Sequence, residues 1–176
     1  MNDVIENTGN LAEAMEHAKH LLAEDPHQAV IQLEEVLAVV PDYPPALLMR
    51  ACAINLIEGP EAALRLLAPL SDTHPGWSAV HFEYAKTLSA LHRGEEAIVI
   101  LETVVALEPE HPEAWRILAD HLAAVGEQDK SESAYLKHLR CSTQNAELQQ
   151  AAKAMIDNDL SVAERVLKSH LKVAPT

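Results

Sequence analysis

Ten histidines, two cysteines and a few adjacent carboxylates are the side chains in this sequence that could do chemistry. His17 and His20 stand three apart with Glu13, Glu16 and Glu24 near them, a grouping able to hold a cation on a helix surface. The other eight (His27, His74, His81, His92, His111, His121, His138 and His170) are scattered. No pair has the spacing of a zinc-protease helix, and no cysteine joins them. Two ligands seldom make a metal site, so the histidines are read as solvent-exposed or interface side chains, and no metal is expected. Cys52 and Cys141 lie far apart, with no signature of an activated thiolate near either. They fit small apolar side chains in a reducing compartment. Glu34-Glu35 and Glu95-Glu96 fall on helix surfaces or in first turns, where negative charge complements the helix dipole. The five glycines are dispersed, which leaves no loop to cradle a phosphate. No catalytic constellation emerges, no cofactor is implied, and the chain reads as a non-enzyme.

The elements that would position such residues repeat every 34 positions. Ala29, Ala63 and Ala97 align with Ser131; Leu33, Leu67 and Leu101 align with Tyr135; Pro41, Pro75 and Pro109 align with Thr143. Ala51, Ala85 and Ala119 form a fourth column, and Ile54, Leu88 and Leu122 a fifth. A unit of this length, apolar at helical spacing and closed by proline, is one helix-turn-helix hairpin. A hairpin cannot bury its own apolar face, so each must stack on its neighbours. The small residues should sit where two helices approach most closely.

These columns resemble the tetratricopeptide repeat. Trp115, Leu118, Ala119, Leu122 and Gly126 fall where that family places tryptophan, leucine, a small residue, a bulky residue and glycine. Ser131 stands where alanine is usual, and Thr143 replaces the closing proline. The resemblance implies an all-α, right-handed superhelical solenoid of about five helix-turn-helix (TPR-like) hairpins. A narrower likeness is carried by Pro112 to Arg116, Ala134 to Arg140 and Ala163 to Leu167. These segments look like the N-terminal repeat region of bacterial proteins that join such repeats to a sulfotransferase domain. That would imply a longer polypeptide whose catalysis lies beyond Thr176.

A flexible stretch is expected over 1–10, followed by a single array over 11–176, with units at 11–41, 44–75, 77–109, 112–143 and 146–175. The first helix should run from Leu11 to Glu24 and fits the period only after a one-residue shift. Asp25-Pro26, Gly59-Pro60, His92-Arg93-Gly94, Gly126 and Asn158 mark the turns. Pro69 is an interior proline, which removes a backbone bond and crowds the preceding turn at a cost of about 3 kcal/mol. A bend or stop near Ala68 is expected. The last unit is two residues short, since Pro175 follows Thr143 by 32.

Composition agrees with close helix packing: 48% of residues are hydrophobic but only 3% aromatic, so alanine and leucine must fill the core. The formal net charge is -14. Residues 1–129 hold 6 Lys+Arg against 22 Asp+Glu, whereas 130–176 hold 7 against 5. Nucleic acid needs a basic footprint and is not expected as a partner. The N-terminal segment has no apolar run of a secretory signal, and no window approaches the roughly 20 apolar residues of a membrane span. A cytoplasmic protein without a membrane partner is expected.

The family's groove is lined by the first helix of each hairpin. By resemblance those positions are Leu48, Met49, Cys52 and Asn55, then Phe82, Lys86 and Ser89, then Arg116, Asp120 and Ala123. The lysine-asparagine clamp that grips chaperone tails is absent, because Leu48, Cys52 and Asp120 occupy its slots. The remaining surface suits an amphipathic helix or extended peptide of a protein partner. Self-association through an uncapped C-terminal end is a further expectation, drawn from the charge split.

Overall fold

The computed structural model describes the backbone of residues 2–173 and the side chains from Asn10 to Ser169. Ten α-helices and no strand are found among the described residues. They are α1 (Asn2–Glu24), α2 (Pro26–Val39), α3 (Pro44–Glu58), α4 (Pro60–Thr73), α5 (Ser78–Ala90), α6 (Gly94–Leu107), α7 (Pro112–Ala124), α8 (Gln128–Ser142), α9 (Ala146–Ile156) and α10 (Leu160–Val173). The first helix therefore begins at Asn2, not at Leu11, and most of the stretch expected to be flexible is helical. The side chain of His170 and the closing Pro175 lie outside what the structure describes.

Two compact units divide the chain, Met1–Arg93 and Gly94–Thr176. In the first, α1 packs on α2, α2 on α3, α3 on α4 and α4 on α5. In the second, α6 packs on α7, and so on in order to α10. Within each unit, sequence neighbours are thus spatial neighbours, as a stack of hairpins requires.

The alanine columns and most of the leucine column are core, whereas the prolines Pro41, Pro75 and Pro109 and the leucine-column Tyr135 are exposed. Ala29, Leu33, Ala51, Ala63, Ala85 and Leu88 are fully buried in the first unit, with Leu67 at 1% exposure. Ala97, Leu101 and Ala119 are fully buried in the second. Ser131, standing in the alanine column, is also buried; its hydroxyl donates to the Ala119 carbonyl at 2.9 Å. The polar substitution is tolerated because the proton has a partner.

Helix ends follow their residues. Asp25 caps α2, its carboxylate accepting from the backbone N–H of His27 and Gln28 at 3.1 and 3.3 Å. Asn145 caps α9 in the same way, accepting from Glu147 and Leu148. Gly126 and Asn158 take positive φ, 82° and 57°, as expected of left-handed turns. In the expected turn 92–94, however, it is His92 that is left-handed, at φ 58°. Gly94 serves a different purpose: a Cβ there would lie 3.1 Å from Nδ1 of His121.

Pro69 does not stop its helix. α4 continues through it to Thr73. Leu67 and Leu70 flank the proline and are buried on the core side, in one cluster with Ala51, Ala63 and Val80. Their burial at roughly 1.5–3 kcal/mol each offsets the missing backbone bond. The Thr73 hydroxyl also donates to the carbonyls of Pro69 and Leu70.

Candidate functional site

In the first unit, Cys52 of α3 and Lys86 of α5 both meet Glu83 of α5. The Cys52 thiol lies close enough to the Glu83 carboxylate to feel its charge. The Lys86 ammonium reaches both Glu83 oxygens, at 3.0 and 3.2 Å, and lies 5.4 Å from the centre of the Phe82 ring. Cys52 and Lys86, one period apart, therefore share a face with Glu83 between them. Burial pushes the Cys52 thiol up to about 12, the Glu83 carboxylate adding to the shift and Lys86 opposing it. A nucleophile needs the thiolate, and this environment withholds it.

The other members of the set differ in what they leave free. Phe82 is buried, so its ring serves the fold first. Leu48 and Met49 are half-buried, Leu48 against the Ala51–Leu67 cluster and Met49 against the Leu33–Ala46 cluster. Asn55 is half-buried. The Ser89 hydroxyl donates to the Ala85 carbonyl at 2.8 Å.

The second unit holds its own patch. Arg116 pairs with Asp120 at 3.0 Å, one helical turn apart, and the Tyr135 hydroxyl from α8 donates to the same carboxylate. That hydrogen bond, to an acceptor already charged, raises the phenol above its ordinary value. Ala123 is exposed. The cation, carboxylate and phenol thus make one hydrogen-bonded group on the exposed surface of α7 and α8.

Several histidines are structural. His81 is 6% exposed. Its Nε2–H donates to the Pro75 carbonyl at 3.0 Å and its Nδ1 accepts from the Ser71 hydroxyl at 2.7 Å. It is a buried pin between α4 and α5, not a solvent-exposed or interface residue. His111 caps α7, accepting from Ala114 N–H at 3.2 Å, and His138 donates to the Pro112 carbonyl at 2.9 Å. His17 contacts Gln32 of α2 at 3.1 Å. Among the described residues no group of three or more potential ligands could hold a metal ion.

A feature absent from the repeat columns appears at the helix entrances. The Pro75 carbonyl accepts from His81, the Pro109 carbonyl from Trp115 Nε1 at 2.8 Å, and the Thr143 carbonyl from Gln149 Nε2 at 2.7 Å. Acceptors and donors are both 34 apart. Each bond ties the residue closing one hairpin to the first helix of the next. The second unit also carries a cleft of about 630 Å³ over α7, walled by α6 and α8. No helix among the described residues is long and apolar enough to cross a membrane.

Residues 58–121 match the tetratricopeptide repeat family. An uncharacterized protein of Rhizobium meliloti (strain 1021) is 34% identical over 123 residues, covering 64% of this chain and 29% of that protein. The chain thus spans less than a third of that relative's length. Among solved structures, MamA (41-end) from Desulfovibrio magneticus RS-1 superimposes with a TM-score of 0.66 at 16% identity, over 93% of this chain and 92% of that one. Another MamA crystal structure gives 0.63 at 20% identity, over 88% and 94%. Likeness at such identities is one of fold. The finer resemblance to sulfotransferase repeat regions finds no support in these matches.

Proposed function

We propose, for a chain whose residues 58–121 match the tetratricopeptide repeat family, that it is a non-catalytic interaction module binding a peptide or helix of another protein on the exposed faces of its first helices. The observation carrying this reading is the Cys52–Glu83–Lys86 surface joining α3 and α5. Half-buried Leu48 and Met49 on α3 and the Glu83–Lys86 pair on α5 would offer an amphipathic segment both burial and a polar anchor. Arg116, Asp120 and Tyr135 form a comparable patch in the second unit. The test is recovery of partners by the purified chain and by a Leu48→Asp/Lys86→Glu double variant, identified by mass spectrometry. A partner held by the first and lost by the second supports the reading. Equal recovery by a folded variant defeats it.

A second reading draws on the Rhizobium relative, of which the matched region is 29%. Here the repeats position a protein substrate for an enzyme region of a longer polypeptide, of which a sulfotransferase is the version the sequence resemblance suggests. A phosphate-binding loop in the reading frame past Thr176 is what it requires. A third, self-association of the acidic 1–129 portion with the weakly basic 130–176 portion of a second copy, predicts a dimer dispersed by salt. A monomer by light scattering at low ionic strength removes it.

A further inference from the structure

The cleft of the second unit uses α6 and α8, not the first-helix faces considered above. Its floor is the α7 side chains Trp115, Leu118 and Leu122. Its two walls carry opposite charge. Glu102 stands on the α6 side, and Lys130 and Lys137 stand on the α8 side. The two lysines are seven residues apart, which is two helical turns or about 10.5 Å along the axis. Lys137 holds its ammonium 4.2 Å from the centre of the Trp115 ring. Lys130 pairs with Glu127 at 3.3 Å, but both side chains are more than half exposed, so that pair yields readily to a better one. Asp129, also on the α8 wall, weakens the field near Lys130 and leaves Lys137 the principal cation.

We propose that this cleft docks an amphipathic helix of a partner protein in one orientation. An apolar seam lies on Trp115, acidic residues seven apart follow the α8 wall, and a basic edge follows Glu102. Charge complementarity argues for this occupant. Walls of a single sign would accept a helix either way up, whereas walls of opposite sign accept one edge order and repel its reverse. A free small molecule would match the apolar floor but not the paired cations two turns apart.

The experiment uses the full chain with Trp77→Phe, which leaves Trp115 as the fluorescent reporter. Two synthetic helical peptides share one composition and one leucine seam. The first carries glutamates at i and i+7 on the edge meant for α8 and lysines on the other; the second has the edges exchanged. The first should shift Trp115 emission saturably and bind about tenfold more tightly than the second. Lys137→Glu should reverse that order. Equal binding of both peptides, or no change at Trp115, overturns the proposal. So does a hydrophobic dye that fills the cleft and is displaced by neither peptide. If Trp77→Phe does not fold, amide chemical shifts of α6 and α8 in the unaltered chain give the same comparison. None of these outcomes alters the α3–α5 test, so the two readings fail separately.

Discussion

In the first unit the Pro75 carbonyl takes its proton from His81, a ring that is 6% exposed and is held on its other side by Ser71. In the second unit the Pro109 carbonyl takes it from Trp115, half-exposed beneath Lys137, and the Thr143 carbonyl from the exposed Gln149. One backbone acceptor recurs while its donors share only an N–H at the right reach. The position demands a hydrogen, not a residue type. What differs is burial, and burial decides how much each bond contributes, because an unmet polar group costs most where water cannot reach it.

The comparison can be broken in order of expected effect. His81→Leu leaves the buried Ser71 hydroxyl and the Pro75 carbonyl without their partner. It should lower unfolding stability by about 2–3 kcal/mol in denaturant titration. A loss as small as that of Gln149→Ala would show that burial is not what separates the two. Next come Ala85→Leu and Ala119→Leu, one column in two units and both fully buried, each expected to cost about 1–3 kcal/mol by overpacking. Unchanged melting for either would break the equivalence of the columns. Trp115→Phe keeps most of the ring but removes the donor, and about 1 kcal/mol should be lost. Gln149→Ala removes an exposed bond and should cost less than about 0.5 kcal/mol.

The smallest effect concerns α10. Hydrogen bonds from the Ser161 hydroxyl and the Val162 N–H hold the Asp159 carboxyl below its ordinary 3.8. A depressed folded value means the contribution is present above 3.8 and is lost as pH falls through the folded value. Amide exchange in the first turn of α10 should therefore quicken, relative to an unstructured reference peptide, as acid protonates Asp159. In Asp159→Asn that acid-dependent part should vanish.

Much of the fold is legible in the residues because each period writes the same apolar contacts again. Ala51, Ala85 and Ala119 name the close approaches, and Gly126 and Asn158 name the turns. The donor column escapes because histidine, tryptophan and glutamine share no chemistry until their acceptors are in view. Glu83 escaped for a different reason. It lies one period past Met49, so the register points to it, but an acidic residue in a column begun by methionine does not read as the same position. Pro69 misleads because the helix-breaking rule is local, while the burial of Leu67 and Leu70 that overrides it is tertiary. Burial also separates Phe82 from Lys86, four residues away on one helix, and sequence spacing cannot.

The bonds from Pro75, Pro109 and Thr143 each span six residues. Closing so short a loop sacrifices little chain entropy, and no distant segment has to arrive first. Each joint can therefore set early in folding and independently of the others. Weakening one would loosen the chain at that corner alone, so an engineer wishing to add compliance at a chosen place has three separate screws to turn.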